Sequence, residues 1–226
     1  MSKVIVVCVL LLHLTINAMN NNINNGILTG TGMISSLLHS IVDKSSNNSN
    51  NDDEKPRILV TGGAGYIGTH TIVCLLEAGY DITVVDNLSN SQFESLNRVK
   101  QLLDLPNDSK RLEYYEIDLC DYNKFENEIF KQYSKPFQAC IHFAGLKAVG
   151  ESVVKPLLYY ENNLVSTFNL LKLMDKYDCH SIVFSSSATV YGTAEVPITE
   201  STPVGIGITN PYGRTKYMIE EILQDF

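Results

Sequence analysis

The 226-residue chain is 44% hydrophobic and carries a formal charge of −8, from 17 basic against 25 acidic side chains, so it can bury a full core in one domain. With no dense block of lysine or arginine, that balance argues against a nucleic-acid or anionic-membrane partner and favours a small-molecule ligand. Cys8, Cys74, Cys120, Cys140 and Cys179 are odd in number and include no C-x-x-C pair, which indicates neither a disulfide framework nor a zinc site. They read as small core residues; His142, at the end of an apolar run, reads as a packed strand residue, and no metal is expected.

Met1 to Ala18 has the pattern of a signal peptide: Lys3, an apolar run from Val4 to Leu12, and a small residue at Ala18. The apolar run is too short to span a bilayer. Asn87-Leu88-Ser89 weighs against secretion, because a glycan there would block the ligand pocket argued below, and a cytoplasmic protein is expected. Met19 to Glu54 is rich in Asn, Ser and Gly and cannot bury enough surface to order itself. Residues 1–54 are therefore expected to be a disordered leader outside the fold, with the folded domain over 55–226, beginning near Pro56.

Ile58 to Thr71 is the stretch around which the domain is organised. Ile58, Leu59 and Val60 form a short apolar run of the kind that makes a buried parallel strand, and Thr61 with Gly62 breaks it. Gly63, Gly65 and Gly68 fit G-x-G-x-x-G, and Tyr66 to Gly79 has helical spacing with Ile72, Leu75 and Leu76 on one side. Strand, glycine turn and helix together form a phosphate-binding unit, with the helix N-terminus facing the phosphates. The next strand, Ile82 to Val85, ends in Asp86, roughly 20 residues beyond the loop, where an acid binds a ribose 2′-OH; this favours NAD over NADP.

Strand-like and helix-like runs then alternate: Asp81 to Asp86 and Ser91 to Leu105, Leu112 to Ile117 and Asp121 to Tyr133, Phe137 to Phe143 and Pro156 to Tyr177, Ser181 to Ser185 and Pro211 to Phe226. Five strands and five crossover helices predict an α/β fold, a doubly wound parallel sheet of the Rossmann type, with ligands beyond the carboxyl ends of the strands. Polar residues cluster at those ends. Asn87 to Ser91 is placed to surround an adenosine, or is a plain strand-to-helix turn, and Asp118 with Leu119 follows the third strand at the same edge. Phe143-Ala144-Gly145-Leu146-Lys147 combines small residues with one cation, suited to close approach beside a pyrophosphate. Three hydroxyls, Ser185 to Ser187, open the segment that runs to Gly192. Finally, Tyr212 and Lys216 stand four apart on one helix face, the arrangement of a phenol base and the cation that activates it.

These stretches resemble the extended short-chain dehydrogenase/reductases, and among them the NAD-dependent UDP-sugar 4-epimerases. The likeness runs from about Arg57 to the C-terminus and is most specific at Val60 to Gly68, His142 to Ser152, Lys155 to Asn163, Ser185 to Gly192 and Pro211 to Lys216. It implies that Gly62, Gly65, Tyr66, Ile67 and Gly68 form the phosphate loop. It implies that Asp86, Asn87, Leu88, Ser89, Asn90 and Ser91 hold the adenosine side and Asp118 and Leu119 the adenine, with Phe143, Ala144, Gly145, Leu146, Lys147 and Asn162 completing the cofactor contacts. Ser187, Tyr212 and Lys216 match the catalytic residues, Tyr212 and Lys216 also touching the cofactor.

The implied reaction interconverts UDP-glucose and UDP-galactose: Tyr212 removes the proton of the sugar 4-OH while the C4 hydride passes to NAD, and the ketone turns over and takes the hydride back on its other face. A sugar-nucleotide dehydratase carries an Asp-Glu pair beside its active-site Thr, which Ser187-Ala188-Thr189-Val190 lacks. Epimerases of other UDP-sugars and a non-catalytic nucleotide-binding fragment remain as alternatives. Family members continue through a smaller substrate domain and pair as homodimers, whereas this sequence stops at Phe226; the isolated chain is expected to hold the cofactor half and to turn over little substrate.

Overall fold

The computed structural model describes residues 3–7, 55–133, 137–199 and 201–226. Its strands are β1 (Lys3–Val7), β2 (Arg57–Thr61), β3 (Asp81–Asp86), β4 (Leu112–Glu116), β5 (Ala139–His142) and β6 (Ser181–Ser185). They form one parallel sheet in the order β1-β6-β5-β2-β3-β4. The chain runs outward from β2 through β3 to β4, then returns to place β5 on the other side of β2. That reversal makes the switch point between β2 and β5, where an open α/β sheet binds its ligand.

The helices are α1 (Tyr66–Glu77), α2 (Glu94–Leu102), α3 (Tyr122–Phe125), α4 (Val149–Val154), α5 (Pro156–Tyr160), α6 (Ser166–Lys176) and α7 (Pro211–Asp225). Alternation along β2 sends Ile58 and Val60 to one face of the sheet and Leu59 to the other. Ile58 and Val60 pack with Ile72, Leu75 and Leu96 of α1 and α2. Leu59 packs with Phe125, Leu170, Leu173, Ile219 and Leu223 of α3, α6 and α7. Both faces are covered, so β2 and β5 are buried almost throughout.

The doubly wound sheet is as expected, with differences at the level of elements. Helix α2 covers less than Ser91 to Leu105, because the Ser91 hydroxyl is engaged by Asp86 at one end and Asp104 turns left-handed (φ 51°) at the other. The expected helix over Pro156 to Tyr177 is interrupted by a π-helical stretch, Glu161–Val165, and the one over Asp121 to Tyr133 by another, Glu126–Phe130. Periodicity alone does not register such widened turns. Helix α4 precedes α5 and is separated from it by Lys155, whose extended φ of −125° is what a residue before proline favours.

Strand β1 is the larger departure. Lys3–Val7, placed by the sequence in a leader outside the fold, pairs in parallel with β6 from Lys3↔Ser181 to Val7↔Ser185. An apolar run read as a leader is also the pattern of a buried parallel strand. The remainder of the leader and the Asn-rich segment lie outside the described residues. Among the described residues no helix is long and apolar enough to cross a membrane.

Candidate active site

A cleft opens at the carboxyl ends of β2, β3, β5 and β6, floored by the glycine loop. Gly62 leaves β2 with φ +67°, and a Cβ there would stand 2.6 Å from the amide nitrogen of Ala144, so only glycine lets the loops after β2 and β5 touch. Gly68 lies against Gly63, whose Cα a Cβ would meet at 2.7 Å, which sets α1 tight against the loop. No side chain caps α1 at Gly65, so the first-turn N–H groups present a positive helix end to the cleft. Gly62, Gly65, Tyr66, Ile67 and Gly68 all line it.

Asp86, at the end of β3, is buried. Its Oδ2 accepts from Ala64 N at 3.0 Å, and its Oδ1 from Leu88 N at 2.9 Å and Ser91 Oγ at 2.8 Å. The carboxylate thus ties the glycine loop to the following turn and keeps capacity for one more donor on Oδ2. Asn87, Ser89 and Asn90 line the cleft beside it, and Leu88 and Ser91 are the residues bonded to Asp86. Asp118 and Leu119 line the same end, with Val85 and Ile117, two apolar contacts the sequence reading did not single out.

Phe143 to Lys147 lines the middle of the cleft with Asn162 and Ser166. Its shape is fixed by Asn163, which sequence reasoning missed. The Asn163 side chain accepts from Leu146 N at 2.8 Å and donates to Leu146 O at 3.0 Å and to Thr215 Oγ1 at 3.1 Å. Thr215 stands between Tyr212 and Lys216 on α7, so the loop and this helix share one buried amide. His142 belongs to the same buried layer, with Nδ1 2.7 Å from Thr61 Oγ1 and Nε2 3.1 Å from Thr167 Oγ1. Thr167 donates its proton to Asn163 O at 2.7 Å, which leaves it to accept from Nε2–H and leaves Nδ1 to accept from Thr61. Burial first, and the charge of Lys216 second, push His142 down to about 3, so it is a neutral core residue.

At the far end Tyr212 and Lys216 meet Ser185 and Ser186. Asn210 caps α7 by accepting from Gly213 N at 2.8 Å, and Pro211 follows in the first turn, which fixes where the helix begins and so where Tyr212 points. Lys216 donates to Ser185 O at 2.9 Å, with its Nζ 4.7 Å from the Phe184 ring centre and 6.0 Å from that of Tyr212. Burial lowers Lys216 to about 8, with Glu220 pulling it back up and Lys147 adding to the fall. The Ser185 carbonyl that holds the lysine is a backbone group and left no mark in the sequence pattern. Ser187 is set back from the cleft surface. Its Oγ accepts from Thr189 N at 3.2 Å and Thr189 Oγ1 at 2.9 Å, two bonds that leave its own proton to donate.

Burial raises the thiols of Cys74, Cys120, Cys140 and Cys179, the first two to about 11, which agrees with their reading as packed residues rather than nucleophiles. Among the described residues no three His, Cys, Asp or Glu side chains converge as a metal site would need.

Residues 59–226 match the family model described as GDP-mannose 4,6 dehydratase. UDP-glucose 4-epimerase 2 of Arabidopsis thaliana is 57% identical over 169 residues, 74% of this chain and 46% of that protein. UDP-glucose 4-epimerase of Bacillus subtilis is 57% identical over the same length, 74% of this chain and 47% of the relative. The crystal structure of UDP-glucose 4-epimerase from Bifidobacterium longum in complex with NAD+ and UDP superposes with a TM-score of 0.69 at 52% identity, covering 75% of this chain and 48% of that one. The chain spans about half the length of the relatives it matches. Strand β1 and the leader fall outside the matched span. With its sheet, glycine loop and Tyr212–Lys216 pair in place, the chain belongs to the NAD-dependent epimerase/dehydratase family of extended short-chain dehydrogenase/reductases.

Proposed function

We propose that the chain holds NAD across this cleft and, within a protein of its relatives' length, interconverts UDP-glucose and UDP-galactose by transient oxidation at the sugar C4. The observation that carries this reading is that Tyr212, Lys216 and the uncapped glycine loop open onto one cleft at the switch point. NAD fits the residues present: the α1 N-terminus suits a pyrophosphate, and the one remaining acceptor position of Asp86 suits a ribose hydroxyl while its charge repels a 2′-phosphate. When bound, NAD supplies the acceptor for the C4 hydride and the donor that returns it.

The chain's own residues handle the proton and the geometry. A free phenol has a pKa of about 10, so a base working at neutral pH needs a shift of roughly 3 units, about 4 kcal/mol of phenolate stabilisation. Lys216, at about 8, is mostly protonated at pH 7 and places a cation beside the Tyr212 ring. The unused Ser187 proton is available to the sugar 4-oxygen, orienting it for Tyr212.

The family model's description names a dehydratase, and one observation favours the epimerase reading. Elimination needs an acid beside the serine strand, yet Thr189 is followed by the buried Val190, and the carboxylates lining the described cleft are Asp86 and Asp118, at the opposite end. The reading places the protein in galactose metabolism in the cytoplasm, supported by the position of the Asn87 sequon against the pocket. It also expects a homodimer, for which the exposed Val153, Val154 and Leu157 on α4 and α5 offer an apolar face.

The test is conversion of UDP-galactose by residues 1–226 and by the chain extended to its relatives' length. The extended protein should turn over with Tyr212→Phe reducing kcat by about 10²–10⁴-fold, and the shorter chain should turn over little. Full activity of the Tyr212→Phe protein would remove Tyr212 as the base.

A further inference from the structure

Helix α7 carries a third ionisable side chain on the face of Tyr212 and Lys216: Glu220, one turn beyond the lysine. It is only 8% exposed, and its Oε1 accepts a hydrogen bond from the hydroxyl of Ser186, itself 1% exposed. Glutamate is rarely buried unless a partner needs its charge; a glutamine would fill the same space and meet the same hydroxyl. Ser186 lies between two residues of the site. The carbonyl of Ser185 accepts from Lys216 Nζ at 2.9 Å, and Ser187 carries the hydroxyl assigned to the sugar oxygen.

We propose, resting on the roles given above to Tyr212 and Lys216, that Glu220 is a positioning residue for them: its carboxylate pins Ser186, which registers the Ser185 carbonyl and the Ser187 hydroxyl, and its charge keeps the buried Lys216 protonated. The groups around Lys216 leave this task to Glu220. Lys147, from the loop after β5, is a like charge and drives the lysine toward its neutral form, as burial does more strongly. His142, on β5, is neutral. Tyr212 presents its ring, as Phe184 does from β6. Burial, and after it the charge of the exposed Glu221, raise the Glu220 carboxyl, while the Ser186 hydrogen bond and the charge of Lys216 pull it back down. Of these, Glu220 is the one anion favouring the ammonium form.

The experiment is a pH titration of the 226-residue chain carrying [13Cε]lysine, followed by NMR, with the Lys216 resonance identified by its loss in Lys216→Met. The wild-type midpoint should fall near 8, and Glu220→Gln, which keeps the Ser186 partner but not the charge, should lower it by about one unit. Glu221→Gln should leave it in place. An unchanged midpoint in a folded Glu220→Gln protein would overturn the proposal, since a merely structural glutamate is replaced by glutamine without moving the lysine. A second reading needs no variant: in wild-type protein with [13Cδ]glutamate, the Glu220 carboxyl should be ionised at pH 7 and respond again as Lys216 titrates, and a carboxyl still protonated at pH 7 would refute the charge role. Neither measurement depends on turnover; absence of NAD binding in a parallel titration would sink the functional reading while leaving the Lys216 result interpretable.

Discussion

Three of the roughly four hydrogen bonds a carboxylate can accept are already made within the chain at Asp86, and two of the donors are backbone amides that no side-chain change can redirect. Asp86→Asn turns an amide donor toward one of those N–H groups. We expect it to weaken NAD binding by at least about tenfold and to destabilise the domain by about 1.5–3 kcal/mol, the worth of a hydrogen bond to a charged group, measured by calorimetric titration and urea unfolding. Asp86 was legible because an acid at the end of the second strand of such a unit has few other uses. Leu88 and Ser91, which the resemblance assigns to the adenosine side, bond to Asp86, a link that only three-dimensional geometry reveals. His142 gives a second residue-level expectation. Its folded pKa is depressed to about 3 while an unfolded histidine takes up a proton near 6.5, so the unfolded state binds more protons between those values. Stability from this residue is therefore complete above about 6.5 and declines by up to roughly 1.4 kcal/mol per pH unit as pH falls toward 3. Unfolding curves of wild type and His142→Asn between pH 7 and 4 should converge on acidification; parallel curves would contradict the assignment.

The β2–glycine turn–α1 unit was the most readable part of the chain because Gly62 and Gly68 answer close backbone approaches that no other residue allows. Gly62→Ala would set a methyl 2.6 Å from Ala144 N at a left-handed φ, and we expect it to abolish NAD binding and to lower the melting temperature. Other elements were less readable. The π-helical stretch Glu161–Val165 falls where Asn163 must reach Leu146, a tertiary demand that overrides helical periodicity. Strand β1 shows a different limit, since an apolar run specifies burial but not the neighbour that buries it. As β1 covers the edge of β6 next to the serine segment, deleting residues 1–7 should bare a row of backbone N–H and C=O groups. We expect the melting temperature to fall by at least about 4 °C, a little over 1 kcal/mol for a domain of this size, with self-association rising in sedimentation velocity. An unchanged melting temperature would mean that β1 adds nothing to the sheet.

Over the whole molecule, one reversal of strand order brings together loops that are far apart in sequence: the glycine turn, Asp86, the segment after β5, the serine end of β6 and the start of α7. Alternating strands and helices made that gathering foreseeable, since Asp86, Asp118, Lys147 and Ser185 to Ser187 fall at or after strand ends, while Asn162, Tyr212 and Lys216 are brought there by helical segments. The supports beneath them, Asn163 and Glu220, were given no role by the sequence and emerge only when the loops are packed. In the proposed function, Tyr212 and Lys216 serve a hydride transfer that begins and ends in this cleft. Its most direct measurement follows UDP-galactose bearing deuterium at C4 through conversion by the chain extended to its relatives' length, with mass spectrometry of the product. A hydride that leaves and returns without meeting solvent predicts UDP-glucose with its C4 deuterium retained, and none formed by the Tyr212→Phe protein above background. Product that has exchanged its deuterium for solvent hydrogen would contradict the account.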